Sequence, residues 1–384
     1  MRIIADENIP FVRECFSSAG DVLTVHGRKI TSEILKDADA LLVRSITKVN
    51  KELLEDSKVK FVGTATIGFE HIDVDYLEAK KIGFASAPGS NANSVAEYMT
   101  SALLNLADKY KFGIGEKSIG IVGVGNVGGR LEKKVRALGM RVVLNDPPLK
   151  RKTSSAVGCL TADEKYRPIE EIFDCDIVTL HVPLTNEGPD KTYHLADEKF
   201  FKSLKKGVIF FNTCRGKVHD TAALKNAITS YKTSACVLDV WENEPNIDIE
   251  LVKMVDYGTP HIAGYSYDGK VVGMLMIYQA FCKFFSVKPK FSAKDFLPKP
   301  QVEKIDISKD DPKPLLTIVN TLYDIKKDDE KLRQIINKLA EKQGAYFDSL
   351  RKNYHIRREF QNTAVSTGDK KLKNILEGLG FKVE

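Results

Sequence analysis

The first ninety residues alternate short apolar runs with amphipathic stretches. Arg2–Ala5, Val22–Val25, Ala40–Val43, Phe61–Thr64 and Gly83–Ser86 read as strands, and helical spacing marks Val12–Ser18 and Val74–Lys80 between them. Strands that alternate with helices predict a parallel α/β sheet, because each crossover needs a helix to return the chain. A long helix is expected over Ser94–Tyr110. A second series follows, with strands at Ser118–Val122, Val142–Asn145, Ile177–His181, Gly207–Asn212 and Ala235–Val240. These are near-continuous apolar runs, the pattern of strands covered on both faces. Helices are expected at Ile249–Val255 and Tyr267–Phe285. Residues 286–301 hold three prolines and four lysines and read as a linker. Beyond it, helices at Pro314–Tyr323 and Asp329–Glu341, with strands around them, make a third domain of α+β character.

The second series opens on a glycine motif. Gly123-Val124-Gly125-Asn126-Val127-Gly128 follows an apolar strand and begins a helix that runs to Ala137, and Asp146 stands 18 residues after Gly128 at the end of the next strand. GxGxxG alone is a weak signal. In a strand–turn–helix context with an acidic residue at this distance it reads as a dinucleotide fingerprint. Gly123 permits the tight turn, Gly125 lets the backbone approach a pyrophosphate, and Gly128 lets the helix lie close to the strand. The free N–H groups and positive end of that helix attract phosphates. Asp146 accepts from ribose hydroxyls and repels a 2′-phosphate, so NAD is expected over NADP. The basic run Lys150-Arg151-Lys152 reads as a solvated loop.

Three later segments carry catalytic residue types: FNTCRGK with Arg215, LDVWENEP with Glu244, and TPHIAGY with His261. Taken singly, these are a surface ion pair, a solvated carboxylate and a packing histidine. After a dinucleotide fingerprint they fit oxidation of a 2-hydroxy acid. Histidine takes the hydroxyl proton. A carboxylate on the other ring nitrogen fixes its tautomer. Arginine holds the substrate carboxylate in a bidentate pair.

Composition narrows the classes. Hydrophobic residues make up 43% and charged residues 29%, and the net charge of +6 is spread along the chain without a basic stripe. Nucleic-acid and membrane partners are not expected, and an anionic small substrate suits the excess. No apolar run approaches the ~20 residues of a membrane span. The start MRIIADENIP has no signal core, so a cytoplasmic location is expected. The six cysteines are scattered, without metal spacing, and read as reduced and mostly buried thiols.

VGVGNVG, NTCRG, LDVWENEP and TPHIAG stand in an order and spacing that resembles the D-2-hydroxyacid dehydrogenase family. The resemblance implies a Rossmann-like NAD domain (residues 94–257) inserted in a flavodoxin-like substrate domain (residues 1–93 and 258–285). It makes Arg215, Glu244 and His261 catalytic. ADENIP, VRSITKVN, FVGTATIGFEHID, NDPP, HIAGYSYDGK, YDIKKDD and LRKNYHIRREF are similar to one branch of that family. That branch oxidises a small phosphorylated 2-hydroxy acid and carries a C-terminal dimerisation domain, here residues 286–384. This implies a homodimer with substrate contacts at Ser45, Thr66 and Tyr265. It implies cofactor contacts at Asp146, Thr213, Cys214, Arg215, Asp239 and Gly264 besides the glycine loop. Where the family often has threonine after its histidine, this chain has Val182, so only a backbone contact to NAD is expected there. Arg44, with Arg351 or Lys352 of a partner chain, is expected to hold the substrate phosphate; alternatively Arg351–Arg358 make ion pairs at the dimer interface. A D-3-phosphoglycerate dehydrogenase and an NAD-responsive binding protein are the competing readings.

Overall fold

The computed structural model describes residues 1–154, 165–308 and 310–384. The chain divides into two compact units, Met1–Ala92 with Tyr265–Lys299, and Asn93–Gly264 with Pro300–Glu384.

In the smaller unit, β1 (Arg2–Asp6), β2 (Asp21–Val25), β3 (Ala40–Val43), β4 (Phe61–Thr64) and β5 (Gly83–Ala85) form one parallel sheet in the order β2-β1-β3-β4-β5. This is the flavodoxin-like order. Successive side chains on a strand face opposite ways. Ile3, Ala5, Leu42 and Phe61 therefore enter a core with Phe16, Met274, Ile277 and Phe281, while Ile4, Leu41, Val43 and Val62 enter another with Leu35, Leu54 and Leu77. Two covered faces explain the continuous apolar runs. The helix Tyr267–Phe284 supplies the first core from the far side of the sequence. The expected linker is tied to this unit as far as Lys299: Phe296 stacks on Phe11 at 4.6 Å, and Tyr278 Oη accepts the Lys290 N–H at 3.0 Å.

In the larger unit, β6 (Ser118–Val122), β7 (Arg141–Asn145), β8 (Ile177–Leu180), β9 (Val208–Asn212), β10 (Thr233–Leu238) and β11 (Tyr257–Gly258) form a parallel sheet in the order β11-β10-β9-β8-β6-β7. The chain leaves β6 toward β7 on one side, then crosses to β8 on the other. This topological switch point lies at the C-terminal ends of β6 and β8, where ligands bind in such sheets. The two-residue β11 has no sequence signature of its own. It places Thr259–Gly264 in this unit, so the expected substrate segment 258–285 is divided between the two units at Gly264/Tyr265.

The C-terminal segment adds a small parallel sheet, β12 (Lys304–Asp306), β13 (Ala364–Ser366) and β14 (Lys382–Val383). Its helices share the core of the nucleotide sheet: Leu332, Ile335 and Phe347 pack with Trp241, Leu251 and Val255. The expected helix Asp329–Glu341 is broken. Helices run Ile325–Arg333 and Ala340–Lys352, with a 3-10 turn over Gln334–Asn337 between them. The apolar period continues through the break, but Ile335 and Phe347 reach one core only if the chain turns, and Leu339 is left 61% exposed. Cys15, Cys175, Cys214, Cys236 and Cys282 are buried free thiols, and Cys159 lies outside the described residues. Among the described residues no helix is long and apolar enough to cross a membrane.

Candidate active site

The residues singled out in and after the second α/β series gather along the C-terminal edge of the larger sheet. Gly123–Gly128 follow β6, Asp146 follows β7, Val182 follows β8, Thr213–Arg215 follow β9, Asp239 follows β10, and His261 and Gly264 follow β11. In a parallel sheet all strands end on the same side, so one topology assembles six separate segments.

The glycine loop fits a dinucleotide by three tests. Gly123 has φ +89°, and a side chain on it would strike the His181 carbonyl. A Cβ on Gly128 would lie 2.1 Å from Gly123 O, so only glycine lets the helix start this close to the loop. A Cβ on Gly125 would meet nothing within 4 Å, which leaves open space beside the start of the helix Asn126–Ala137. Gly125 gives that helix no side-chain cap, so its first N–H groups remain available to an anion. Asp146 braces this loop. Its Oδ2 accepts the Val124 N–H at 2.8 Å and its Oδ1 accepts the Leu149 N–H at 2.9 Å. Each oxygen retains capacity for a ribose hydroxyl. Asp146→Ala is expected to weaken NADH binding about tenfold, about 1.4 kcal/mol, by removing both the ribose acceptor and the loop bond. A fluorescence titration giving an unchanged Kd would count against the ribose assignment.

His261 and Glu244, 17 residues apart in the chain, form a close pair: His261 Nδ1 lies 2.7 Å from Glu244 Oε2. The other oxygen, Oε1, accepts the Trp241 N–H at 2.9 Å. Burial pushes the Glu244 carboxyl up. The His261 imidazole, the Trp241 N–H and the Arg351 charge outweigh it and hold the group below the ordinary carboxylate range. An ionised Glu244 at neutral pH accepts from Nδ1–H, which leaves Nε2 as the ring nitrogen available to a substrate. His261 itself has φ +57°. Few non-glycine residues adopt this conformation, and it persists where the surroundings over-determine it.

Asp239 supplies much of that constraint. The residue is 1% exposed, and its carboxylate is taken up by the turn. It accepts from Thr259 Oγ1 at 2.6 Å, Ile262 N–H at 2.7 Å and Ala263 N–H at 2.9 Å. Trp241 Nε1 donates to Thr259 O at 2.9 Å. Arg215 follows β9 in extended backbone with its Nη1 donating to Cys214 O at 2.7 Å. A Cβ on Gly216 would collide with Trp241 O, so the arginine loop and the Trp241–Glu244 loop are in backbone contact.

Ser45, Thr66 and Tyr265 belong to the smaller unit. Ser45 is exposed just past β3. Thr66 lies two residues past β4, and its Oγ1 donates to Gly68 O at 2.8 Å. Tyr265 precedes the helix Tyr267–Phe284, and Lys270 Nζ lies 4.8 Å from its ring centre. Burial, and then the Arg44 charge, lowers the Lys270 ammonium to about 8. Among the described residues neither Arg44 nor Lys270 has a carboxylate partner; Arg44 Nη1 makes only a long bond to Asn8 O, 3.4 Å. The two cations thus lie within electrostatic reach of each other, each raising the cost of the other's charge. The sequence singled out Arg44 but not Lys270, because the pairing of positions 44 and 270 depends on how the helix Tyr267–Phe284 packs.

Together these features define the class: a dinucleotide-dependent dehydrogenase fold with a carboxylate-paired histidine at the C-terminal edge of its sheet. Residues 92–263 match the family described as "D-isomer specific 2-hydroxyacid dehydrogenase, NAD binding domain", and residues 296–380 match a domain of unknown function, DUF3410. The chain is 43% identical over 383 residues to the erythronate-4-phosphate dehydrogenases of Klebsiella pneumoniae and Cronobacter sakazakii, covering 99% of this chain and 98% of each relative. The fold resembles D-lactate dehydrogenase from Aquifex aeolicus complexed with NAD and lactic acid, with TM-score 0.59, 26% identity, and 74% of this chain and 96% of that one covered. It also resembles NAD-bound 3-phosphoglycerate dehydrogenase of Entamoeba histolytica, with TM-score 0.62, 25% identity, and 76% and 98% covered. The chain belongs to the D-isomer specific 2-hydroxyacid dehydrogenases and, within them, to the erythronate-4-phosphate dehydrogenase family.

Proposed function

We propose that this chain oxidises 4-phospho-D-erythronate at C2 to 2-oxo-3-hydroxy-4-phosphobutanoate with NAD, a step toward pyridoxal 5′-phosphate, as a cytoplasmic homodimer. The observation that carries the chemistry is the His261–Glu244 pair on the same C-terminal sheet edge as a glycine loop that fits a dinucleotide. The substrate follows from 43% identity sustained along the whole chain, C-terminal segment included. NAD, when bound by the glycine loop and Asp146, supplies the hydride acceptor. His261 Nε2 takes the C2 hydroxyl proton, Glu244 holds the ring and stabilises its charged form, and Arg215 pairs with the substrate carboxylate. Ser45, Thr66 and Tyr265 contact the substrate.

Arg44 and Lys270 hold the phosphate in this reading. Lys270→Met is then expected to raise KM for 4-phospho-D-erythronate at least tenfold while leaving KM for unphosphorylated D-erythronate unchanged, as loss of a charge-assisted bond requires. Equal effects on both substrates would remove Lys270 from the phosphate site. The function itself is tested by turnover with NAD on 4-phospho-D-erythronate beside 3-phospho-D-glycerate, with an excess of a 2-oxo acid in a parallel assay to reoxidise retained NADH. Preference for the glycerate would move the protein to the sister activity, and turnover of neither would refute the dehydrogenase reading.

A further inference from the structure

The turn that carries His261 is clamped on one side by Asp239. On its other side stands Arg357, a residue of the C-terminal segment 94 positions further along the chain. Arg357 is 2% exposed within a single chain, so it is not a surface group awaiting an ion pair at an interface. Its Nη2 donates to Ser94 O at 2.7 Å, to Ser94 Oγ at 2.5 Å and to Ala263 O at 3.1 Å. Ser94 Oγ in turn donates to Ala263 O at 2.9 Å. The peptide two residues beyond His261 is therefore gripped through its N–H by Asp239 and through its carbonyl by Arg357 and Ser94.

Arg357 is itself immobilised. Its guanidinium lies 4.1 Å over the Tyr323 ring, and Phe360 N–H, three residues on, donates to Glu97 Oε1 at 2.9 Å. The same segment meets the other half of the pair. A Cβ on Gly344 would lie 2.4 Å from Asn246 Oδ1 and 3.4 Å from Pro245, so the helix Ala340–Lys352 packs directly on the loop that presents Glu244. A cavity of about 190 Å³ lined by Pro260, Leu350 and Tyr354 marks the seam between that helix and the His261 turn.

We propose that Arg357 is a positioning residue for His261: through Ser94 and the Ala263 carbonyl, the C-terminal segment of the same chain holds the histidine at its positive φ and in register with Glu244. This gives that segment a role inside each protomer, separate from any role between protomers. A left-handed histidine relaxes when its clamps are released, and a small misplacement of a base is costly in rate. The proposal rests on the dehydrogenase reading above for its kinetic consequence only.

The test uses the full-length chain as wild type, Arg357→Met, Arg357→Lys and Ser94→Ala. Arg357→Met is expected to lower kcat at least tenfold with KM for NAD unchanged and to shift the pH profile of kcat/KM. Arg357→Lys should recover part of the rate, because an ammonium keeps the charge and can donate as Nη2 does, but lacks the planar group that lies over Tyr323. Ser94→Ala, which keeps the guanidinium, should lower kcat about threefold, and it carries the test if Arg357→Met fails to fold. Histidine NMR titration reads the His261 ring directly. A displaced His261 resonance in the variants supports the proposal even if the wild type turns over neither phosphorylated acid, so failure of the activity reading is distinguishable. An unmoved His261 resonance, or a lowered melting temperature with unchanged kcat and pH profile, overturns it.

Discussion

Replacing His261 with asparagine lowers turnover of the hydroxy acid by about 10³-fold while leaving the Kd for NADH within about twofold of wild type. Asparagine is the informative substitution because it tolerates the left-handed backbone that position 261 adopts at φ +57°. The turn should therefore survive, held by Asp239 and Arg357, and the loss reports the imidazole alone. A positioned general base contributes 10²–10⁴-fold. Here its second nitrogen is fixed by Glu244 at 2.7 Å, which places the effect within that range rather than at its low end. Cofactor affinity should hold because the glycine loop and Asp146 lie after β6 and β7, on separate segments. Retention of more than a tenth of wild-type turnover would assign the proton to another group.

Stability should fall as pH drops from 7 to 5, by about 2 kcal/mol from His219 alone. This imidazole is 0% exposed, and its Nδ1 accepts from Asn212 Nδ2 at 2.9 Å. Burial holds its pKa down at about 4, against a usual 6.5. The unfolded chain takes up a proton below pH 6.5 that the folded chain refuses until about pH 4. The unfolded state binds more protons across this window, so stability is complete above it and is lost as pH falls through it, at up to about 1.4 kcal/mol per pH unit. Urea unfolding at pH 7 and pH 5 measures the difference, and His219→Gln should reduce it by about 2 kcal/mol. The same pH dependence in both proteins would show that His219 is neutral in the folded state for no energetic consequence, contrary to its burial.

The fold and the site are unevenly legible in the chain. Strands such as Ala40–Val43, Phe61–Thr64 and Ser118–Val122 were legible to the residue, because burial on both faces leaves no polar position to blur their ends. The glycine loop was legible because its geometry excludes side chains: Gly128 sits where a Cβ would strike a carbonyl. Strand β11 was not, since two residues carry no period. The break at Lys338–Leu339 was not, since the same apolar spacing serves one helix or two. The bonds of Asp239 to its own turn were not legible, because an acidic residue after a strand looks the same whether it faces a ligand or that turn.

The sequence by itself determined the two α/β series and the nucleotide loop, and it singled out Arg215, Glu244 and His261 as candidates for the chemistry. Each depends on local patterning or on residue type at short spacing. Tertiary structure decided the distance at which Glu244 meets His261, and it alone decided that Lys270 comes within electrostatic reach of Arg44 and that Arg357 reaches the carbonyl behind the histidine. These pairings join positions 17, 226 and 94 residues apart, the second through electrostatics alone. The geometry that closes them is set by strand order and by how the C-terminal helices share the core with the nucleotide sheet, and a linear pattern of hydrophobic and polar residues encodes neither until the chain has packed.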